Sequence, residues 1–176
     1  MIPKYLEGKT LPRHLQTAFD LFGTKEIVGK ANNATIMSWA KELNLDDIYK
    51  NDELAWCGLF FAICCKRANR ELPNFKDKYD YLRALKYAGI WMPVMARDAS
   101  VGDVLIFRRP SGGHIGFYVA ESPTTYFVLA GNQNNEVNIA EIAKDRCVAI
   151  RRPNYNTYQP FSVAIGSNGG LSTNEA

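Results

Sequence analysis

The sequence predicts an α+β fold. Apolar residues recur at helical spacing through the first half, and short β-branched and aromatic runs fill the second. The change of rhythm falls at Val101-Gly102.

Over 12–22, Leu15, Ala18, Phe19 and Phe22 share a 3.6-residue rhythm that closes at Gly23, predicting a first helix. Asn33 is suited to cap a second helix over 34–43, with Ile36, Met37, Ala40 and Leu43 turned inward. Asp52 is suited to cap a third over 53–68. This one is apolar almost all round (Leu54, Trp56, Leu59, Phe60, Ala62, Ile63), which predicts a central, buried helix. A fourth, amphipathic stretch over 76–88 ends at Gly89. Strand-like runs follow at 103–107, 115–120, 126–129, 136–139 and 148–151. They are separated by Pro110-Ser111-Gly112-Gly113, Ser122-Pro123 and Asn132-Gln133-Asn134-Asn135, a spacing that predicts an antiparallel meander of five strands. The reading is one domain over 1–153, with its core at about 12–152, then a polar tail over 154–176 that Gly166-Ser167-Asn168-Gly169-Gly170 marks as flexible.

A chain of 176 residues, 47% hydrophobic and 22% charged, is long enough to bury a proper core and has the composition of a globular protein. The net charge of +3 is mild and its cations are scattered, which argues against nucleic-acid binding and suits a polyanionic partner such as a cell wall. Residues 1–9 lack the apolar stretch of a signal peptide, and no segment approaches the ~20 apolar residues of a membrane span. The expectation is synthesis in the cytoplasm, no membrane insertion, and delivery to any outside target by other means. Cys57, Cys64, Cys65 and Cys147 form no CxxC, and with two histidines no four-ligand zinc spacing can be assembled. Reduced thiols are expected, with no metal and no cofactor.

The chemistry-bearing residues are Cys57, His114 and the pair Asn132-Gln133. A cysteine near a helix start gains free amide donors and the helix dipole, both of which favour the thiolate. Gly58 beside it leaves open space and an unhindered N–H for an oxyanion. His114, between Gly113 and Gly116 at a strand entrance, has little side-chain cover and is placed to act as the base. His14, among polar neighbours on the first helix, reads as a surface residue. A third group should fix the imidazole tautomer. In an antiparallel meander the end of the next strand returns beside His114, so Asn132 is the best orienter, with Gln133 a substitute or an oxyanion donor. Each residue alone has an ordinary reading as packing or turn; the order Cys, His, Asn is what joins them.

Asp52-Glu53-Leu54-Ala55-Trp56-Cys57, Gly102-Asp103-Val104-Leu105-Ile106-Phe107, Gly113-His114-Ile115-Gly116-Phe117-Tyr118 and Gly131-Asn132-Gln133 resemble the peptidoglycan cysteine peptidases of the CHAP and NlpC type. The upstream 23–29 segment looks like a subgroup common in bacteriophages and prophages. The resemblance covers roughly 15–152. Where CHAP members place a glutamate two residues before the asparagine, this chain has Ala130. The resemblance implies a papain-like fold that hydrolyses an amide in peptidoglycan, as a phage endolysin or virion-associated lysin, with other virion or tail proteins as further partners. It would act on the wall after holin release, virion delivery or secretion. Trp56, Trp91 and Tyr118 are candidates to line the groove. Asp52 and Glu53 are read as helix caps, with Glu53 also able to hold a cationic group at the rim. Two other readings stay open: a secreted antibacterial cysteine-hydrolase effector, and a non-catalytic wall-binding or virion module on the same scaffold.

Overall fold

The computed structural model describes residues 2–29, 31–154 and 158–166. They form an α+β protein in which helices α1 (Arg13–Asp20), α2 (Ala34–Glu42) and α3 (Cys57–Arg67) precede the strands. The six strands are β1 (Met92–Pro93), β2 (Val104–Arg109), β3 (Gly112–Glu121), β4 (Thr125–Gln133), β5 (Glu136–Ala143) and β6 (Cys147–Arg152). They make one antiparallel sheet in the order β1–β6–β2–β3–β4–β5. The expected meander therefore holds from β2 to β5. The last strand does not continue it but crosses back to pair with β2, where Leu105 faces Ile150.

Asn33 caps α2 as its type suggests, its Oδ1 accepting from the amides of Thr35 and Ile36 at 2.8 and 3.3 Å. α3 is the buried centre: every residue from Cys57 to Cys65 is buried. Its Phe60 and Phe61 rings meet Phe117 of β3 at 6.4 and 5.5 Å, and Trp39 of α2 lies 6.0 Å from both Trp56 and Phe60. Burying such side chains stabilises the fold by roughly 1.5–3 kcal/mol each, so this aromatic cluster fixes α3 to the sheet. At the start of β2, Asp103 accepts from Arg152 of β6 through Nε and a terminal nitrogen, at 2.7 and 2.8 Å. It also takes the Ser100 amide at 2.8 Å, locking the crossover in place.

Several expectations need correction. α3 begins at Cys57, four residues later than expected, and Asp52 does not cap it. The Asp52 carboxylate instead accepts from the amides of Ile27 and Asn33, at 3.1 and 2.8 Å, stapling the 27–33 loop to the approach to α3. Glu53 is exposed and caps nothing. The 76–88 stretch is not one helix but two 3-10 turns, Lys78–Tyr81 and Ala84–Gly89, split at an extended Arg83. The break flattens the 81–82 backbone against α3. Phe22 lies beyond the end of α1 and is exposed. Of the stretch read as a flexible tail, 158–166 runs beside the far end of β3: the Val101 amide donates to Phe161, and Glu121 exchanges hydrogen bonds with Val163 and Ile165. Residues 155–157 and 167–176 of that tail lie outside the described residues.

His14 is the remaining correction. It is fully buried, and its Nε2 donates to the Gly102 carbonyl at 2.8 Å, tying α1 to the turn before β2. Burial holds its pKa down, from 6.5 to about 4. Above pH 6.5 the imidazole is neutral folded or unfolded, and its contribution is complete. As the pH falls toward 4 the unfolded chain takes up a proton that the folded one refuses, so stability is lost across that window. The separation corresponds to about 3 kcal/mol. Urea unfolding at pH 7, 5 and 4 should show His14→Gln, which keeps a donor for the carbonyl, losing that share of the wild-type acid sensitivity.

Candidate active site

Cys57 is the first residue of α3, and the first helical hydrogen bond runs from the Phe60 amide to the Trp56 carbonyl at 2.9 Å. The amides of Cys57, Gly58 and Leu59 precede that bond and are the donors a helix start leaves over. Those of Cys57 and Gly58 face the Cys57 sulfur, and so does the Ile115 amide of β3, next in sequence to His114. The thiol therefore sits where α3 meets the strand that carries the histidine. A lowered thiol pKa, expected from the helix start, is not what results. Burial pushes the Cys57 thiol up, and the Arg109 guanidinium and these amides only partly oppose it.

Gly58 has a different use from the one its sequence position suggests. A Cβ there would stand 2.7 and 2.8 Å from the carbonyl oxygens of Tyr81 and Leu82, so the missing side chain admits the 81–82 backbone and leaves no open space. The glycines around His114 act similarly. Leu85 closes on Gly113, Val128 and Ala130 close on Gly116, and His114 is fully buried, not uncovered.

The His114 ring is held by Gln133, whose Oε1 lies 3.2 Å from Nε2. Which atom donates follows from the rest of the network. Gln133 Nε2 is within reach of three acceptors: the Asn138 carbonyl at 2.8 Å, Asn138 Oδ1 at 3.0 Å and the Val128 carbonyl at 3.2 Å. Asn138 returns a bond from Nδ2 to the Gln133 carbonyl at 2.9 Å. With its NH2 committed to oxygens, the glutamine must turn its own oxygen to the ring, so His114 Nε2 carries the proton. In the neutral ring Nδ1 is then the basic nitrogen. The sequence offered Gln133 only as a substitute for Asn132. Asn132 is buried in left-handed backbone, φ 61°, where the β4–β5 register slips between Ala130 and Gln133. That one-residue bulge re-aims the following side chain.

The groove candidates fare differently. Trp56 is fully buried, its indole N–H donating to Glu26 at 3.3 Å. Tyr118 is buried against Tyr126, ring centroids 5.8 Å apart. Trp91 donates to the Glu71 carbonyl at 3.2 Å, 5.9 Å from the Phe61 ring, and Glu53 stands exposed near Glu26. None of the four lines the cavity at Cys57. That cavity, about 500 Å³, is walled by Ala55, Leu82, Ala84 and Leu85, with Arg83, Lys86 and Arg109 as its charged groups. From the sequence Arg109 reads, with Arg108, as a strand end facing water, and nothing joins it to Arg83 and Lys86, which lie in a separate segment that reaches it only through the broken 76–88 stretch. Among the described residues no three His, Cys, Asp or Glu side chains gather as a metal site, and no helix is long and apolar enough to cross a membrane.

The features define an α+β protein in which a thiol at a helix start lies beside a strand carrying an amide-tethered imidazole. No known family model matches the chain, and no curated protein matches it. If Gln133 sets the tautomer, Gln133→Ala should slow alkylation of Cys57 at neutral pH by about 10- to 100-fold and move its pH profile up toward that of an unassisted thiol. A purely structural role for Gln133 would lower thermal stability and leave the shape of that profile alone.

Proposed function

We propose that this protein is a cysteine hydrolase that cleaves an amide bond of peptidoglycan, on a papain-like α+β scaffold of the CHAP or NlpC kind. The observation that carries the thiol chemistry is the Gln133 tether, which leaves His114 Nδ1 as the basic nitrogen one residue from the Ile115 amide that faces Cys57. The resemblance of the Trp56-Cys57, Gly113-His114 and Gly131-Asn132-Gln133 segments supports the substrate.

In this reading the thiol rests protonated, because burial outweighs the helix end, and activation falls to the base. His114 Nδ1 takes the Cys57 proton as the sulfur attacks the substrate carbonyl carbon. The oxyanion meets the amide donors at the start of α3. Collapse breaks the C–N bond, and the imidazolium returns the proton to the departing amine. A water molecule, deprotonated by His114, then hydrolyses the thioester and frees Cys57. The bond cut is the lactyl amide to the stem peptide, or one within the peptide or its cross-bridge. An endolysin or a virion-associated lysin is the biological role that fits this activity.

Purified sacculi test the proposal. The wild-type chain should release soluble fragments bearing either new amino termini or free muramyl groups, which mass spectrometry distinguishes. Cys57→Ala should lower release by about a thousandfold or more while keeping the wild-type unfolding midpoint. Release that persists in Cys57→Ala sinks the thiol mechanism. Wall binding without release, in the wild-type chain, identifies the non-catalytic module instead.

A further inference from the structure

The geometry points to a carboxylate-binding subsite in the cavity at Cys57, formed by Arg109 with Arg83 and Lys86, which takes a peptide carboxylate carried on a small aliphatic residue. It deepens the hydrolase reading by naming the chemistry of the substrate group placed beside the thiol, and rests on that reading for its role in turnover.

Among the described residues, three cations and no acidic side chain line the cavity, and its remaining walls are mainly small or aliphatic: Ala55, Leu82, Ala84 and Leu85. Such a chamber suits an anion on a short apolar stem. Arg83 and Lys86 share Asp80, at 2.9 and 3.1 Å, and Arg83 also reaches Asp77 at 3.5 Å, so their positions are fixed by acids that stand outside the cavity lining. Arg109, at the end of β2 opposite Gly112, is the cation whose field acts on the Cys57 sulfur. It also borders a neighbouring hollow lined by Arg108, Arg146 and Asp145. A guanidinium is a planar fork that matches a carboxylate. The same charge that receives the substrate's anion also favours the thiolate.

Alkylation of Cys57 by two near-isosteric reagents, anionic iodoacetate and neutral iodoacetamide, reads the subsite without requiring wall hydrolysis, with peptide mapping to assign the modified cysteine. An unassisted thiolate repels the anionic reagent and favours the neutral one. Here iodoacetate should react faster at Cys57, by about fivefold or more. Arg109→Gln should reverse that preference, Arg109→Lys should keep most of it, and Lys86→Gln should weaken it less than Arg109→Gln does. N-acetylalanine should protect Cys57, and its amide should not. Lys86 is half exposed, 51% at its side chain, so its variant tests the subsite even if loss of Arg109 disturbs the fold.

The same preference in wild type, Arg109→Gln and Lys86→Gln overturns the subsite, and so does failure of both reagents to reach Cys57. Inorganic phosphate protecting better than N-acetylalanine overturns the carboxylate and assigns the site to phosphate esters. Sacculus hydrolysis without anion preference removes the subsite and leaves the hydrolase. Anion preference without hydrolysis removes the hydrolase and leaves the subsite.

Discussion

The start of α3 is wedged between two backbones with no room for a side chain on either side. At Gly58 the carbonyls of Tyr81 and Leu82 press in, and at Gly131 the Trp56 ring and the Phe60 Cβ lie 2.6 Å from where a Cβ would stand. Interiors packed this closely transmit position rather than absorb it. The location of the Cys57 sulfur against β3, the split of the 76–88 stretch and the cavity wall from Leu82 to Lys86 all follow from that wedge. The loop over 23–29 closes the same region from outside, with Glu26 on the Trp56 indole and Asp52 on the Ile27 amide.

A second layer of constraint is polar. Gln133 is held by Asn138 and Val128, and through Gln133 the ring of His114 is held. The ring is therefore oriented from the sheet and the sulfur from the helix. Neither depends on a surface loop, and groups carried on helices and strands hold their positions more precisely than groups on loops.

The α+β class, the buried third helix, the Asn33 cap, and the placement of Cys57 at a helix start and of His114 on a strand were legible because each rests on local pattern: periodicity, a capping side chain, a β-rich run. What was hidden depends on partners far away in the chain. His14 looked like a surface residue because its acceptor, the Gly102 carbonyl, is 88 residues distant. The 76–88 stretch looked helical because its amphipathic rhythm is intact, yet the carbonyls of 81–82 are drawn onto Gly58. Asp52 has the chemistry of a cap and uses it on a loop 19 to 25 residues upstream. Asn132 and Gln133 differ only by the bulge in β4, and a bulge leaves no reliable mark on the residues that form it. The Arg83, Lys86 and Arg109 lining was invisible for a similar reason, since no spacing in the chain brings those segments together.

The short bridge between the 23–26 segment and β5 bears on how copies of this chain meet one another. Gly23, Thr24 and Glu26 exchange hydrogen bonds with Val137 and Asn135, so backbone from the helical half covers the outer edge of β5 at its first residues. At the opposite edge β1 is two residues long and contains Pro93, which has no N–H to offer. An uncovered strand edge is a template for a neighbouring chain, and here one edge is partly occupied and the other is short and interrupted. The loop that braces the approach to α3 thus also limits strand-to-strand association, and trimming it would expose the sheet as well as loosen the site.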